Sequence, residues 1–292
     1  MKGLLRVLFI SVLLLFGAFT ASPATADPPT TPVAPVQLAL GDSWAAGTRA
    51  TPPSEGYVPQ LNEALKDDFN CSGEAVEQGK AGCPQLQLVN LAVPGATTPT
   101  LIANQLPVAE GLLELRNGNR DPRDDVEVTT LHIGGNDVTT PIIVACLTQD
   151  FILTGVLSET PCLSTINTLF STYRANLTTV LSGLRNAAGD DDARIVIGTY
   201  DNPIFAPCPL AAIPRARDLA DIALEGDSPQ LAQGLHDIMG EVAANYDVEV
   251  AHVFGDLDGA QFWAGDCLHP NNLGYDQVTN AFLEVFGLAP SG

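Results

Sequence analysis

The stretch Val36-Gln-Leu-Ala-Leu-Gly-Asp-Ser-Trp-Ala-Ala-Gly47 decides the fold. An apolar run stops abruptly at Gly41-Asp42-Ser43 and small residues follow, which reads as a buried strand entering a tight turn. Such a turn presents the Ser43 hydroxyl at the carboxyl end of the strand, the edge at which open α/β sheets bind ligands. A serine there is a candidate nucleophile. It requires a base, an acid that orients the base, and donors for an oxyanion.

Outward from this strand, strand-like runs and helical runs alternate. Leu86 to Val93, Val126 to Ile133, Ala193 to Thr199 and Val248 to Phe254 read as strands. Val58 to Asp68, Leu101 to Leu115, Ile166 to Ala188 and Leu273 to Phe286 read as helices, as does Arg215 to Tyr246 with a break near Gly226-Asp227-Ser228-Pro229. Pro141 to Thr165 reads as an apolar excursion broken by Gly155 and Pro161. The alternation predicts an α/β fold, a three-layer α/β/α sandwich around a central, mainly parallel five-stranded sheet. Parallel strands all end on one edge, so Ser43, Gly95, Asn136 and His269, each after a different predicted strand, are expected to gather there.

The chain has 292 residues, enough for one large domain, expected over residues 27–292. Lys2 and Arg6, the apolar run Val7 to Phe19 and the small residues Ala24-Thr25-Ala26 make residues 1–26 a signal peptide. The run is short for a membrane anchor, and Asp27 to Pro35 reads as a loose leader. Removing Lys2 and Arg6 takes the formal charge from −21 to about −23. Such acidity argues against nucleic-acid partners, whose phosphates it repels. Export and no stable membrane insertion are therefore expected. The oligomeric state stays open, with a monomer favoured.

Six cysteines in an exported chain read as up to three disulfides, with 15 possible pairings. The topology favours pairing in chain order: Cys71 with Cys83, Cys146 with Cys162, and Cys208 with Cys267. No C-x-x-C pair occurs, so zinc is not expected, and no cofactor is required. Asp256-Leu257-Asp258-Gly259 has part of a calcium loop without the remaining ligand positions. The sequon Asn176-Leu177-Thr178 matters only in a glycosylating host.

Of the four histidines, His269 lies in Asp266-Cys267-Leu268-His269-Pro270-Asn271, where one turn brings the Asp266 carboxylate to the imidazole. His132 and His252 sit in strand-like runs and read as structural, and His236 reads as a solvated helical residue. Gly95 leaves its backbone N–H unblocked and Asn136 offers a side-chain amide. With the Ser43 N–H they form a three-donor oxyanion hole. Each also has a plainer role: Gly95 as a turn residue, Asn136 as a cap, Asp137 as a first-turn charge, and Asp42 as a brace for its own turn.

With these residues in hand, the chain resembles the SGNH (GDSL) hydrolases. Gly41-Asp42-Ser43, Asn90-Leu91-Ala92-Val93-Pro94-Gly95-Ala96-Thr97, Gly134-Gly135-Asn136-Asp137 and Asp266-Cys267-Leu268-His269-Pro270-Asn271 match its four blocks in order. Trp44 stands where Leu or Tyr is common. The resemblance implies a flavodoxin-like sandwich and metal-free ester hydrolysis. Ser43 is then the nucleophile, His269 the base and Asp266 its orienter, with Ser43, Gly95 and Asn136 around the oxyanion. The six cysteines and the Ser43 and Asn136 blocks look most like the secreted, three-disulfide lipase/esterase branch. Some members of that branch use a backbone carbonyl in place of the acid. The Gly-x-Ser-x-Gly pentapeptide of the other large serine-hydrolase fold is absent.

A lipid or other carboxylic ester is the expected substrate. Ile142, Ile143, Phe205 and Leu210 are candidate walls of an acyl pocket, with ordinary loop packing as their other role. A carbohydrate (acetyl) esterase and a non-catalytic binding module on the same fold are the alternatives.

Overall fold

The computed structural model describes residues 34–69, 86–119, 121, 123–147, 151–157, 159–189, 193–205 and 207–290. The expected signal peptide and the expected Cys71–Cys83 pair lie outside the described residues. Val33–Gly292 forms one unit.

The apolar run of the opening stretch is β1 (Val36–Gly41), buried at all six positions. A strand so covered must lie inside a sheet with both faces packed. It pairs in parallel with β2 (Gln87–Asn90) on one side and β3 (Val126–His132) on the other. Beyond β3 lie β4 (Arg194–Gly198), then β7 (Glu249–Ala251), again parallel. The order is β2-β1-β3-β4-β7. The chain leaves β1 in one direction and returns on its other side at β3. The β1/β3 boundary is therefore the topological switch point, where α/β sheets open a ligand crevice.

Helices cover both faces. On one, α1 (Tyr57–Phe69) packs against α8 (Asn272–Val285). On the other, α2 (Thr98–Asn104), α3 (Leu106–Asn117), α4 (Gly135–Cys146) and α7 (Leu235–Ala244) pack against the long α5 (Ser164–Ala188). Helix α5 buries Ile166, Phe170, Tyr173, Leu177, Val180, Leu181 and Leu184, a stripe at helical spacing. Gln105 and Pro107 divide the predicted Leu101–Leu115 helix into α2 and α3, because the proline has no N–H to continue the ladder.

Several expectations need correction. The leader was drawn too far: Ala34 is fully buried, and Pro35 O accepts the Gln87 N–H at 2.8 Å. Much of the apolar excursion is helical. Helix α4 starts at Gly135 and carries Pro141 inside it. Arg215 to Tyr246 is two helices, α6 (Ala216–Glu225) and α7, joined by the antiparallel hairpin β5 (Gly226–Ser228) and β6 (Leu231–Gln233). The last sheet strand is shorter than predicted and leaves His252 exposed beyond its end. Two disulfides form as expected, Cys146–Cys162 and Cys208–Cys267. Among the described residues, no helix is long and apolar enough to cross a membrane.

Candidate active site

Ser43 lies two residues past the end of β1, at 7% exposure. Its placement depends on Gly41, which has φ +141° and would put a Cβ 2.2 Å from the His132 carbonyl oxygen, so only glycine fits. Gln105 clamps the same residue from α2/α3: Gly41 N donates to its Oε1 at 2.9 Å, and its Nε2 donates to Gly41 O at 2.8 Å. A buried amide satisfied in this way holds the end of β1 still.

Asp42 braces the turn, as its plainer reading held. Its Oδ1 accepts the Trp44 N–H at 2.9 Å and its Oδ2 accepts the Tyr200 hydroxyl at 2.6 Å. Burial pushes its pKa from 3.8 to about 7; the Tyr200 and Trp44 hydrogen bonds pull the other way, and the Asp137 charge adds to the rise. A raised carboxyl is protonated in the fold over a range where the unfolded chain has released its proton. Its stabilising contribution is therefore complete below pH 4 and lost by pH 7, by at most about 1.4 kcal/mol per unit. Asp42→Asn is expected to remove this slope. Urea midpoints measured from pH 4 to 7 check it, and a variant that keeps the full slope would assign the loss elsewhere.

His269 has the predicted partner. Its Nδ1 lies 2.8 Å from Asp266 Oδ2, and the Asp266 Oδ1 accepts the backbone N–H groups of Leu268 and His269 at 3.1 Å each. Arg49 Nε donates to the same Oδ2 at 2.6 Å. Burial alone would raise the Asp266 pKa. The hydrogen bonds from His269, Arg49 and the backbone reverse this and hold it at about 2, so the group is a carboxylate at neutral pH. The Cys208–Cys267 disulfide ties this loop to the segment after β4.

The Ser43 and His269 loops are sewn together. Trp44 Nε1 donates to Leu268 O at 3.1 Å, linking the residue after Ser43 to the residue before His269. Tyr275 donates to Thr48 O at 2.7 Å, and Asn272 bonds both the N–H and the C=O of Thr51. Ser43 Oγ and His269 Nε2 are not hydrogen-bonded to each other. Catalytic bonds often close only with substrate present. Trp44→Phe keeps the buried ring and deletes the Nε1–H. It is expected to cost about 1 kcal/mol of stability and, because a misplaced base is costly, roughly 10-fold in kcat. Parallel kinetics and thermal melts check this, and an unchanged kcat would show that the seam does not position His269.

The candidate oxyanion donors are in two states. The backbone N–H groups of Ser43 and Gly95 have no acceptor among the described residues. Gly95 is a glycine for its φ of +81°, not for lack of room, since a Cβ there would meet nothing within 4 Å. Asn136, in the first turn of α4, is engaged: Nδ2 donates to Ala96 O at 2.9 Å and lies 3.4 Å from Asp42 Oδ2. The neighbouring Asp137 accepts the N–H and hydroxyl of Thr98, which pins α2 to α4. The sequon residue Asn176 joins the same network through Thr98 Oγ1 at 3.0 Å.

The other histidines are elsewhere. His132 is fully buried among the rings of Trp44, Tyr57, Tyr200 and Phe282, as a structural residue should be. Burial pushes its pKa down to about 3, with only the Thr199 backbone pulling against it. His236 is not solvated. Its side chain is 9% exposed, Nδ1 meets Glu225 and Nε2 accepts the Tyr200 N–H at 3.1 Å.

The proposed acyl wall is mostly packing. Ile142 is 2% exposed in the core, and Ile143 and Leu210 are half-buried against it. A cavity of about 630 Å³ is lined by Phe205, Ile204, Ile213 and Arg217, but not by Ser43, Asn136 or His269. The Arg217 guanidinium sits 3.8 Å over the Phe205 ring. Asp256 and Asp258 are exposed, and no group of three metal-ligating side chains occurs among the described residues.

Solved structures share this architecture. The lipase Lip_vut3 from a goat rumen metagenome is 17% identical with a TM-score of 0.58, over 88% of this chain and 100% of its own. Axe2, an acetylxylan esterase from Geobacillus stearothermophilus, is 14% identical with a TM-score of 0.50, over 90% and 99%. Comparison with curated proteins returns no match. The family model of the GDSL-like lipases/acylhydrolases matches residues 39–277, from within β1 to within α8 and so across every block described above. The chain belongs to the GDSL-like lipase/acylhydrolase family.

Proposed function

We propose that the chain is an exported serine esterase or lipase that cleaves carboxylic esters through an acyl-enzyme. The observation that carries this reading is the 2.8 Å bond from His269 Nδ1 to Asp266, on a loop held to the Ser43 turn by Trp44. Proton possession at Nδ1 leaves Nε2 with a lone pair, the tautomer a general base needs. His269 Nε2 takes the Ser43 Oγ proton as the oxygen attacks the ester carbonyl. The tetrahedral oxyanion is met by the N–H groups of Ser43 and Gly95. Asn136 joins by turning an amide hydrogen from its long Asp42 contact. Collapse expels the alcohol with the proton held on His269. Water, activated by the same imidazole, then releases the acid from Ser43.

Export is supported by the leader and by the two disulfides. Members of this fold named as a lipase and as an acetylxylan esterase are both known. The exposed apolar residues Val93 and Leu268, within the Gly95 and His269 blocks, favour an acyl or lipid ester here. A p-nitrophenyl ester series from acetate to palmitate tests this. Turnover of several chain lengths is expected; turnover of acetylated sugars alone would move the substrate to carbohydrate esters.

A further inference from the structure

Arg49 is an unusual residue for its place. It lies six positions after Ser43 in a solvent-facing loop, with φ at +79°, a left-handed conformation that costs a side-chain-bearing residue about 1 kcal/mol or more. The loop is fixed on either side of it. Thr48 N donates to Ser43 O at 2.9 Å and Thr48 O accepts the Tyr275 hydroxyl, while Thr51 is held by Asn272. Between these anchors the guanidinium reaches the Asp266 carboxylate at 2.6 Å and lands on Oδ2, the oxygen that also accepts from His269 Nδ1. An ordinary surface ion pair is worth little and selects no particular oxygen. This one spans 217 residues, joins the nucleophile loop to the acid, and is made from a strained backbone.

We propose that Arg49 is a positioning residue for ester hydrolysis, holding the Asp266 carboxylate in the plane from which it orients His269 and sharing the charge that would otherwise act on the imidazole alone. This rests on the proposed Ser43–His269–Asp266 hydrolase. A second cation on the same oxygen disfavours the imidazolium. Without Arg49 the full carboxylate charge would face the imidazole. Among the described residues, Tyr275 feels the Asp266 charge but stays neutral, and Asp42, which also acts on Tyr275, accepts the Trp44 N–H and is not bonded to Arg49.

The test uses three variants of the full-length oxidised protein. Arg49→Gln is expected to lower kcat about 10-fold or more, because misplacing a catalytic group is costly, while KM stays within about twofold. The acid limb of its kcat/KM profile should move up by about 0.5 to 1 pH unit, the scale of one neighbouring charge at a partly exposed site. Arg49→Lys should restore part of both effects. Arg49→Gly removes the charge and relieves the backbone, so it should melt no lower than the parent while remaining as impaired as Arg49→Gln. An unmoved acid limb, or activity that follows thermal stability across the three variants, would overturn the proposal. Absence of esterase activity in the parent itself would overturn the underlying hydrolase assignment instead, and is seen before any variant is made.

Discussion

His269→Ala is expected to lower kcat by about 10⁶-fold, the scale of base removal from a serine-hydrolase triad. Three groups that could be considered in its place are each unsuited to it. Asp266 would keep its hydrogen bonds from Arg49 and the backbone N–H groups, and an ordinary carboxylate is far too weak a base to accept a hydroxyl proton. His132 is buried and pushed down to about 3, behind the Trp44 ring. His236 has its Nε2 lone pair committed to the Tyr200 N–H. The fold should survive, because the backbone N–H of residue 269 still reaches Asp266 Oδ1 and the Cys208–Cys267 disulfide still holds the loop. Stopped assays on a p-nitrophenyl ester, with a thermal melt beside them, check both halves. More than a few per cent residual kcat in a folded variant would remove His269 from the mechanism.

Asp266→Asn should be the next most damaging change, at about 10⁴ in kcat. An amide at this position cannot balance the imidazolium that forms as Ser43 attacks. It can also present N–H rather than oxygen to Nδ1, which drives the proton to Nε2 and leaves no lone pair for the serine. Arg49 would lose its partner in the same step. The loss should fall on kcat with KM little changed, since the group meets charge that develops only in the transition state. Parental turnover in this variant would mean that a backbone carbonyl orients the imidazole. The Asp266–His269 bond would then be a feature of the loop alone.

Much of the fold was legible in the residues themselves. Strand β1 announced itself because its buried residues are continuous and end in glycine, and parallel topology then placed four distant blocks on one edge. The 208–267 pair followed from the same edge, and the 146–162 pair from a single excursion after the third strand. Local spacing could not show contacts that cross the chain. Trp44, Arg49, Gln105 and Tyr200 each act on a partner between 64 and 224 residues away. No periodicity marks them, although the position of Trp44 beside the nucleophile was a usable hint. Helix α4 was obscured because Gly135, Asn136, Asp137 and Pro141 are poor helix formers. Its helicity comes from burying Val138, Ile142 and Cys146 on one face, a tertiary gain that outweighs propensity. The β5–β6 hairpin has three residues per strand, too few for alternation to register. His236 and His252 were assigned from their neighbours in sequence. Helix α7 turns the first toward Glu225, and the early end of β7 leaves the second in solvent.

The central claim is that Ser43 is a hydroxyl made nucleophilic by His269. Incubation with a fluorophosphonate, followed by peptide mass spectrometry, measures this without knowledge of the substrate. A single adduct on Ser43 is expected in the parent, absent in Ser43→Ala and slowed by orders of magnitude in His269→Ala. An unmodified Ser43 in folded, oxidised protein, or equal labelling with and without His269, would contradict it.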